Sequence, residues 1–164
     1  MLSLYRYCNK KKEENRLPIT DPNMTRFNIS LEDGCAMVFY AIEKAWGGEV
    51  FVPKIPSYKI PDVASAIAPE LEQKVVGIRP GEKLHEEMIT SSDSYNTVDL
   101  GKYYAILPQN SPYSRYSKEE YKKAFNGVDV PKGFSYDSGN NTEWETVESL
   151  RALVKLHVDP NFKA

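Results

Sequence analysis

The sequence is poor in cysteine: only Cys8 and Cys35 occur among 164 residues, and no cysteines or histidines stand at a zinc-binding spacing. Two cysteines are too few for a disulfide framework, so we predict free thiols in a reducing compartment. An excess of basic charge is also missing, because 21 Lys and Arg residues are balanced by 23 Asp and Glu residues. Proteins that bind nucleic acid usually carry a clear basic excess, and the composition therefore predicts no nucleic-acid partner.

Long hydrophobic runs are absent as well. The longest apolar stretch, Cys35 to Ile42, is far shorter than the roughly 20 residues that cross a bilayer. The first residues, Met1 to Tyr7, lack the apolar region and the small-residue cleavage site of a signal peptide. We therefore predict no membrane association and a cytoplasmic location. A hydrophobic fraction of 41% with 12% aromatic residues still suffices for a core and excludes wholesale disorder.

The last absence is a glycine-rich turn between a strand and a helix. The nearest glycine pairs, Gly47 with Gly48 and Gly77 with Gly81, do not match the dinucleotide-binding fingerprint. The chain alone is therefore expected to hold no nicotinamide cofactor.

The residues that are present predict a mixed α/β fold with short strands and at least four helices. Strand composition occurs in Glu49–Pro53, Lys74–Ile78 and Tyr103–Leu107. Capping residues predict helices that begin after Ser30, Asp62, Ser117 and Thr146, and a further helix is predicted over Glu82–Ile89.

The helix after Ser30 has the clearest pattern, and we expect it to end at Gly47 and Gly48. Its apolar residues recur at helical spacing, which predicts one apolar face along the helix. These residues are Leu31, Cys35, Val38, Phe39 and Ile42. Upstream, the charge run Lys10–Arg16 predicts a solvated loop or a frayed helix, and Leu17–Pro22 an extended segment closed by a proline turn.

The segment Ile78–Lys83 (IRPGEK) is the first candidate for chemistry, because Arg79 ends a predicted strand and Glu82 opens a predicted helix. An Arg in this place of an α/β fold is well positioned to bind phosphate with two hydrogen bonds. Glu82 is suited to accept hydrogen bonds from ribose hydroxyls. A salt-bridged Arg and a Glu that favours the helix dipole fit the same pattern, so spacing alone leaves both interpretations open.

Other candidates are weaker. Arg26 lies between the proline turn and a capped helix, where it is either an anion-binding or an ordinary surface residue. His85 suggests a metal ligand or general base. A solvated helix face also explains it, because no second ligand stands at the required spacing. Two Tyr-x-x-x-Lys pairs, Tyr7 with Lys11 and Tyr40 with Lys44, match a catalytic spacing that chance also produces. The residues alone show no catalytic site.

Three segments together carry a resemblance to a known family: LPITDPNMTRFNIS (17–30), GGEVFVPKIPSYKIPDVASAIAP (47–69) and VVGIRPGEKLHEEMI (75–89). The chain resembles the carboxyl-terminal half of the inverting UDP-N-acetylglucosamine 4,6-dehydratases. These are extended short-chain dehydrogenase/reductases of nucleotide-sugar, surface-polysaccharide and flagellin-glycan biosynthesis. The tail GFSYDSGNNTEWETVESLRALV (133–154) is also similar to the end of that family.

The resemblance implies a fold class: an α/β substrate-binding part of an extended short-chain dehydrogenase/reductase that lacks most of the Rossmann sheet. Residues 1–16 would be a remnant of the Rossmann half and a charged linker, and residues 17–164 the substrate-binding domain. It further implies that Arg79 contacts the UDP diphosphate and Glu82 the ribose. Arg26 would lie near the nucleotide and Asn9 near the sugar.

Departures from the family limit what is expected of this chain. The Gly-rich loop and the family's own Tyr-x-x-x-Lys helix are absent, Cys8 replaces a Gly, and Asn28 stands where the family usually has Trp. Complete members use NAD(P), which would here require a partner: a separate Rossmann-half chain or another copy of this one. The expected function is therefore UDP-sugar binding without activity alone. A non-catalytic accessory or assembly module and a gene-model fragment remain the alternatives.

Overall fold

The computed structural model describes residues 7, 10, 16–108 and 116–163. The strands are β1 (Arg16–Ile19), β2 (Thr25–Phe27), β3 (Val50–Pro53), β4 (Ser57–Lys59), β5 (Glu72–Val75), β6 (Glu87–Ile89), β7 (Thr97–Asp99), β8 (Tyr103–Ile106), β9 (Val128–Asp129) and β10 (Tyr136–Asp137). The helices are α1 (Leu31–Lys44), α2 (Ile60–Ile67), α3 (Lys118–Phe125) and α4 (Val147–His157), with a 3-10 turn at Asp93–Asn96.

These elements belong to two compact units. The first combines the described residues of 1–28, 56–86 and 138–164, and the second those of 29–55 and 87–137. The predicted boundary between residues 16 and 17 adjoins positions outside the described residues, and the domain assignment stays a prediction.

The first unit contains two small two-stranded sheets. β1 pairs with β5 in parallel, and β2 pairs with β4 antiparallel. Its core is formed by apolar side chains of β1, α2 and α4, among them Leu17, Ile67 and Leu150. The Arg151 side chain joins the two helices, since it donates hydrogen bonds to the carbonyl oxygens of Ser65 and Ala66. This core supports the loop that follows β5, where the candidate site lies.

The second unit is built on an antiparallel sheet with the strand order β3–β8–β7–β9. Val98, Ala105 and Tyr121 are fully buried in its core. A separate pair, β6 with β10, is also antiparallel. Tyr40 of α1 packs its ring against Phe51, with the ring centroids 5.3 Å apart.

Three of the predicted helix starts are confirmed. Ser30, Ser117 and Thr146 each accept a hydrogen bond from the backbone N–H three residues later. The strands predicted at 49–53 and 103–107 are confirmed as β3 and β8, and the strand predicted at 74–78 lies slightly earlier as β5. Asp62 is not a cap: α2 begins at Ile60 after Lys59, and Asp62 lies in its first turn.

The helix predicted over Glu82–Ile89 is wrong. In the first unit, the Thr25 N–H donates to the Leu84 carbonyl oxygen. In a helix, that oxygen would accept a hydrogen bond from a residue of the helix itself. In the second unit, Glu87–Ile89 forms β6 and pairs with β10. These partners lie far away in sequence, and they replace the local hydrogen bonds on which a helix depends.

The apolar face of α1 lies on the surface. Leu31, Val38, Phe39 and Ile42 are exposed, and no residue of α1 is fully buried. The partly covered face instead carries Met37 and Tyr40. The apolar periodicity did mark a helix, but the marked face has no partner among the residues that the structure describes.

Candidate functional site

A cavity of about 460 Å³ in the first unit is lined by Arg26, Arg79 and Glu82. The sequence analysis singled out all three, although they come from segments more than 50 positions apart. Asn9, the fourth candidate, lies outside the described residues. Met24, Tyr58 and other side chains complete the lining. We call this space the nucleotide cavity, after the ligand that the sequence resemblance implies.

The ribbon formed by β2 and β4 separates the nucleotide cavity from a second one of about 650 Å³. Successive side chains of a strand point to opposite faces. Accordingly Met24, Arg26, Tyr58 and Ile60 line the nucleotide cavity, whereas Asn23, Thr25 and Lys59 line the second. The register pairs Thr25 with Lys59 and Arg26 with Tyr58, so both strands contribute to both faces.

Arg79 lies in an exposed turn that follows β5. Gly77 and Gly81 have φ angles of 92° and 81°, a backbone conformation that favours glycine and that shapes this turn. The Arg79 N–H donates to Glu82 Oε2 over 3.3 Å, and the Glu82 N–H donates to the Arg79 carbonyl oxygen over 3.0 Å. The guanidinium group of Arg79 has no hydrogen-bond or ion-pair partner among the described residues, so its donors are available to an anion.

The guanidinium group of Arg26, in contrast, is bound to protein groups. Its Nη1 donates to the carbonyl oxygens of Thr25 (2.6 Å) and Leu84 (3.2 Å), and its Nη2 donates to that of Lys83 (3.0 Å). Nη2 also lies 3.4 Å from the Met24 sulfur, and Nε lies 3.3 Å from a Glu86 carboxylate oxygen. A guanidinium has five N–H donors. The four on Nη1 and Nη2 have acceptors in the protein, and Nε forms an ion pair with the Glu86 carboxylate. Arg26 therefore lines the cavity and brings positive charge to it, but its hydrogen bonds hold residues 83–86.

Sequence reasoning missed two features of this site. Tyr58 is nearly buried at the cavity, where burial raises the pKa of its phenol and the Arg26 charge partly opposes that shift. The side chains of Thr25, His85 and Ser138 form a hydrogen-bonded chain on the other face of the ribbon. Alternation along β2 and β4 is the only sequence signal for Thr25 and Tyr58, and nothing in the sequence links Thr25 to residues 85 or 138.

The helix starts test whether this part of the chain fits a dinucleotide. A pyrophosphate is bound by free backbone N–H groups at a helix N-terminus after a glycine-rich turn. Side chains already occupy such N–H groups at α1, α3 and α4. α2 begins after Lys59 and not after a glycine. None of these helix starts follows a glycine-rich turn, and the described residues contain no cluster of three or more metal-ligating side chains.

Comparison with known proteins shows the family of the chain. A family model described as "Polysaccharide biosynthesis protein" matches residues 4–108. The chain belongs to this polysaccharide biosynthesis protein family. The chain is 48% identical to the UDP-N-acetylglucosamine 4,6-dehydratase (inverting) of Campylobacter jejuni, over 84% of this chain and 42% of that protein. It is 36% identical to the UDP-glucose 4-epimerase of Rickettsia felis, over 93% of this chain and 44% of that protein.

The chain also resembles a solved structure, that of Pen from Bacillus thuringiensis. The TM-score is 0.71 over 94% of this chain and 44% of Pen, with 24% sequence identity, so the likeness concerns the fold. The predicted fold class and the resemblance to the inverting dehydratases are thereby confirmed. The chain spans less than half the length of the relatives that it matches. No helix in the described part of the chain has the length and apolar character that a membrane crossing requires.

Proposed function

We propose that this chain is the nucleotide-binding part of a UDP-N-acetylglucosamine 4,6-dehydratase and that its nucleotide cavity binds UDP. The observation that carries the proposal is the meeting of Arg79 and Glu82 in one cavity, with the Arg79 guanidinium unpaired among the described residues. The similarity to a UDP-N-acetylglucosamine dehydratase and to a UDP-glucose epimerase supports a UDP-sugar as the ligand.

The chemistry of the cavity residues assigns a role to each. Arg79 binds the diphosphate, because a guanidinium matches phosphate oxygens with two parallel, charge-assisted hydrogen bonds. Glu82 accepts hydrogen bonds from the ribose hydroxyls. Tyr58 supplies an apolar ring beside them, and Arg26 adds positive charge while it holds the neighbouring backbone. The chain thereby binds and orients the nucleotide.

The complete dehydratase reaction uses a nicotinamide cofactor, which accepts and returns a hydride. Because no described helix start follows a glycine-rich turn, our proposal leaves this chain with UDP-sugar binding and assigns hydride transfer to groups supplied by another chain. The exposed apolar face of α1 favours a second candidate function, a non-catalytic module that assembles with such a partner.

Ligand-observed NMR with UDP tests the proposal, because it detects weak binding. Arg79→Ala is expected to abolish the UDP signal, since loss of a charge-assisted bond costs about 1.5–3 kcal/mol, or roughly ten- to a hundredfold in affinity. Glu82→Gln is expected only to weaken it, because a carboxylate beside a diphosphate gains less from its charge.

Lys83→Ala is the matched control. This substitution removes a positive charge from the same loop, but the Lys83 side chain does not line the cavity. UDP binding is therefore expected to persist. Unchanged UDP binding in a folded Arg79→Ala variant would refute the assignment of the nucleotide site. Absence of UDP binding by the folded wild-type chain would refute the proposed function itself.

A further inference from the structure

A buried chain of hydrogen bonds lies behind the nucleotide cavity, on the opposite face of β2. Thr25 Oγ1 lies 2.7 Å from His85 Nδ1 and 2.7 Å from Ser138 Oγ. Ser138 Oγ in turn accepts the backbone N–H of Glu86 over 2.9 Å. Ser138 is fully buried and Thr25 is 2% exposed, so water does not compete freely for these groups.

The donor and the acceptor of each hydrogen bond among Thr25, His85 and Ser138 follow from the acceptors that are available. Ser138 Oγ already accepts from Glu86, so its own hydrogen is free to bind Thr25 Oγ1, and the Thr25 hydrogen then binds His85 Nδ1. In the reverse order, His85 Nδ1 would donate to Thr25 and Thr25 would donate to Ser138 Oγ. The buried Ser138 hydroxyl hydrogen would then have no acceptor among the described residues, and a buried donor without an acceptor is costly. Satisfaction of the buried Ser138 hydroxyl favours the first order, with His85 Nδ1 as the acceptor and the ring proton on Nε2.

The segment that carries His85 is held from both faces of β2. On the cavity face, Arg26 binds the carbonyl oxygens of Lys83 and Leu84 and the carboxylate of Glu86. On the reverse face, Thr25 binds the His85 ring, and Ser138 binds the Glu86 N–H. Residues 79–82 directly precede this segment and are exposed or half-exposed. The attachment of the segment to β2 therefore limits where Arg79 and Glu82 lie.

We propose that His85 is a positioning residue for the nucleotide site: through Thr25 and Ser138, its ring fixes the loop that presents Arg79 and Glu82 to UDP. The inference rests on the proposed function for its ligand. It departs from the two roles that the sequence allows for His85, a metal ligand or general base and a solvated helix residue.

Gly139 adds an independent observation. A Cβ atom at this position would lie 2.7 Å from the His85 Cγ and Nδ1 atoms, closer than Cβ atoms come to their neighbours. The ring is held in place by Thr25, so it is not free to move away without breaking that bond. Glycine at position 139 therefore leaves the room that the His85 ring occupies.

The first experiment needs no ligand. In chain labelled with ¹⁵N-histidine, the neutral His85 ring is expected to show a protonated Nε2 and a hydrogen-bonded Nδ1; a proton on Nδ1 would overturn the inference. Thr25→Val is isosteric but lacks the hydroxyl, and it is expected to increase the backbone mobility of residues 79–82 in ¹⁵N relaxation. Thr25→Ser keeps the hydroxyl and is expected to restore the wild-type mobility.

The second experiment measures UDP affinity. Thr25→Val and His85→Leu are expected to weaken it about three- to tenfold, the range for residues coupled through one hydrogen-bond network. Thr25→Ser and His85→Asn are expected to retain it, because the Asn carbonyl oxygen takes the acceptor place of Nδ1. In the Glu82→Gln background, Thr25→Val is expected to weaken binding by a smaller factor, because part of what the loop presents has been lost. An equal factor in both backgrounds would indicate a merely structural effect and overturn the inference.

Gly139→Ala keeps the inference testable where the polar variants do not fold. It is expected to weaken UDP binding and to shift the His85 ring signals, whereas Gly34→Ala, where an added Cβ meets nothing within 4 Å, is expected to change neither. Unchanged ring signals and affinity in Gly139→Ala would count against the role of His85. If the wild-type chain binds no UDP, the proposed function fails, while loop mobility still decides whether His85 fixes the loop.

Discussion

Arg26 and Arg79 line the same cavity, yet their guanidinium groups serve different partners. The Nη1 and Nη2 groups of Arg26 donate to three backbone carbonyl oxygens and the Met24 sulfur, and its Nε pairs with the Glu86 carboxylate. The Arg79 group has no partner in the described part of the chain. A motif-based comparison treats the two arginines alike, because residue type alone does not tell whether a donor is already in use.

This difference predicts that the same conservative change affects stability at Arg26 but hardly at Arg79. Arg26→Lys is expected to lower the free energy of unfolding by about 1–3 kcal/mol, because an ammonium cannot satisfy the planar set of acceptors and leaves carbonyl oxygens unpaired. Arg79→Lys is expected to change stability by less than about 0.5 kcal/mol, as for other exposed positions. Urea denaturation followed by circular dichroism measures both, and equal stability of the two variants would contradict the assignment.

At the scale of elements, α1 is the helix whose environment departs most from its sequence. Leu31 is 80% exposed, Phe39 70% and Ile42 75%, and they follow one another along a single helix face. Single exposed apolar residues are ordinary, but a contiguous row marks a surface that associates with something else.

We therefore expect the isolated chain to self-associate through α1. The double variant Phe39→Ser, Ile42→Ser is expected to sediment as a monomer at concentrations where the wild type forms larger species, without loss of stability. Tyr40→Ser serves as a contrast, because it removes ring contacts with Phe51 and Tyr103 and is expected to destabilise the chain. Sedimentation velocity over a concentration series measures this, and a wild-type monomer at every concentration would refute the expectation.

Elements whose signals are local could be predicted from the sequence. The capping box of α3 needs only Ser117 and Glu120, three residues apart, and both its bonds form. The segment 82–89 could not be predicted, because distant partners in β2 and β10 take its hydrogen-bonding groups. The same holds for the site: a short motif carries Arg79 and Glu82, whereas the bonds of Thr25 to His85 and Ser138 span 60 and 113 positions.

At the scale of the whole molecule, the chain corresponds to less than half the length of its relatives, and the described helix starts offer no phosphate-binding turn. We therefore expect no saturable micromolar binding of NAD or NADP by the purified chain in isothermal titration calorimetry. UDP, measured by NMR in the same preparation, is the positive control for a folded chain. Saturable micromolar binding of either dinucleotide would contradict this expectation.

The ribbon of β2 and β4 also limits how the length of this chain can vary. Arg26 serves one side and Thr25 the other only because odd and even positions face opposite ways. Insertion of a single residue between Thr25 and Arg26 would move the Arg26 side chain to the face of the ribbon that carries Thr25. Insertion of two residues would preserve the parity. In a library of insertions and deletions, odd-numbered changes in this ribbon should therefore be eliminated much more strongly than even-numbered ones.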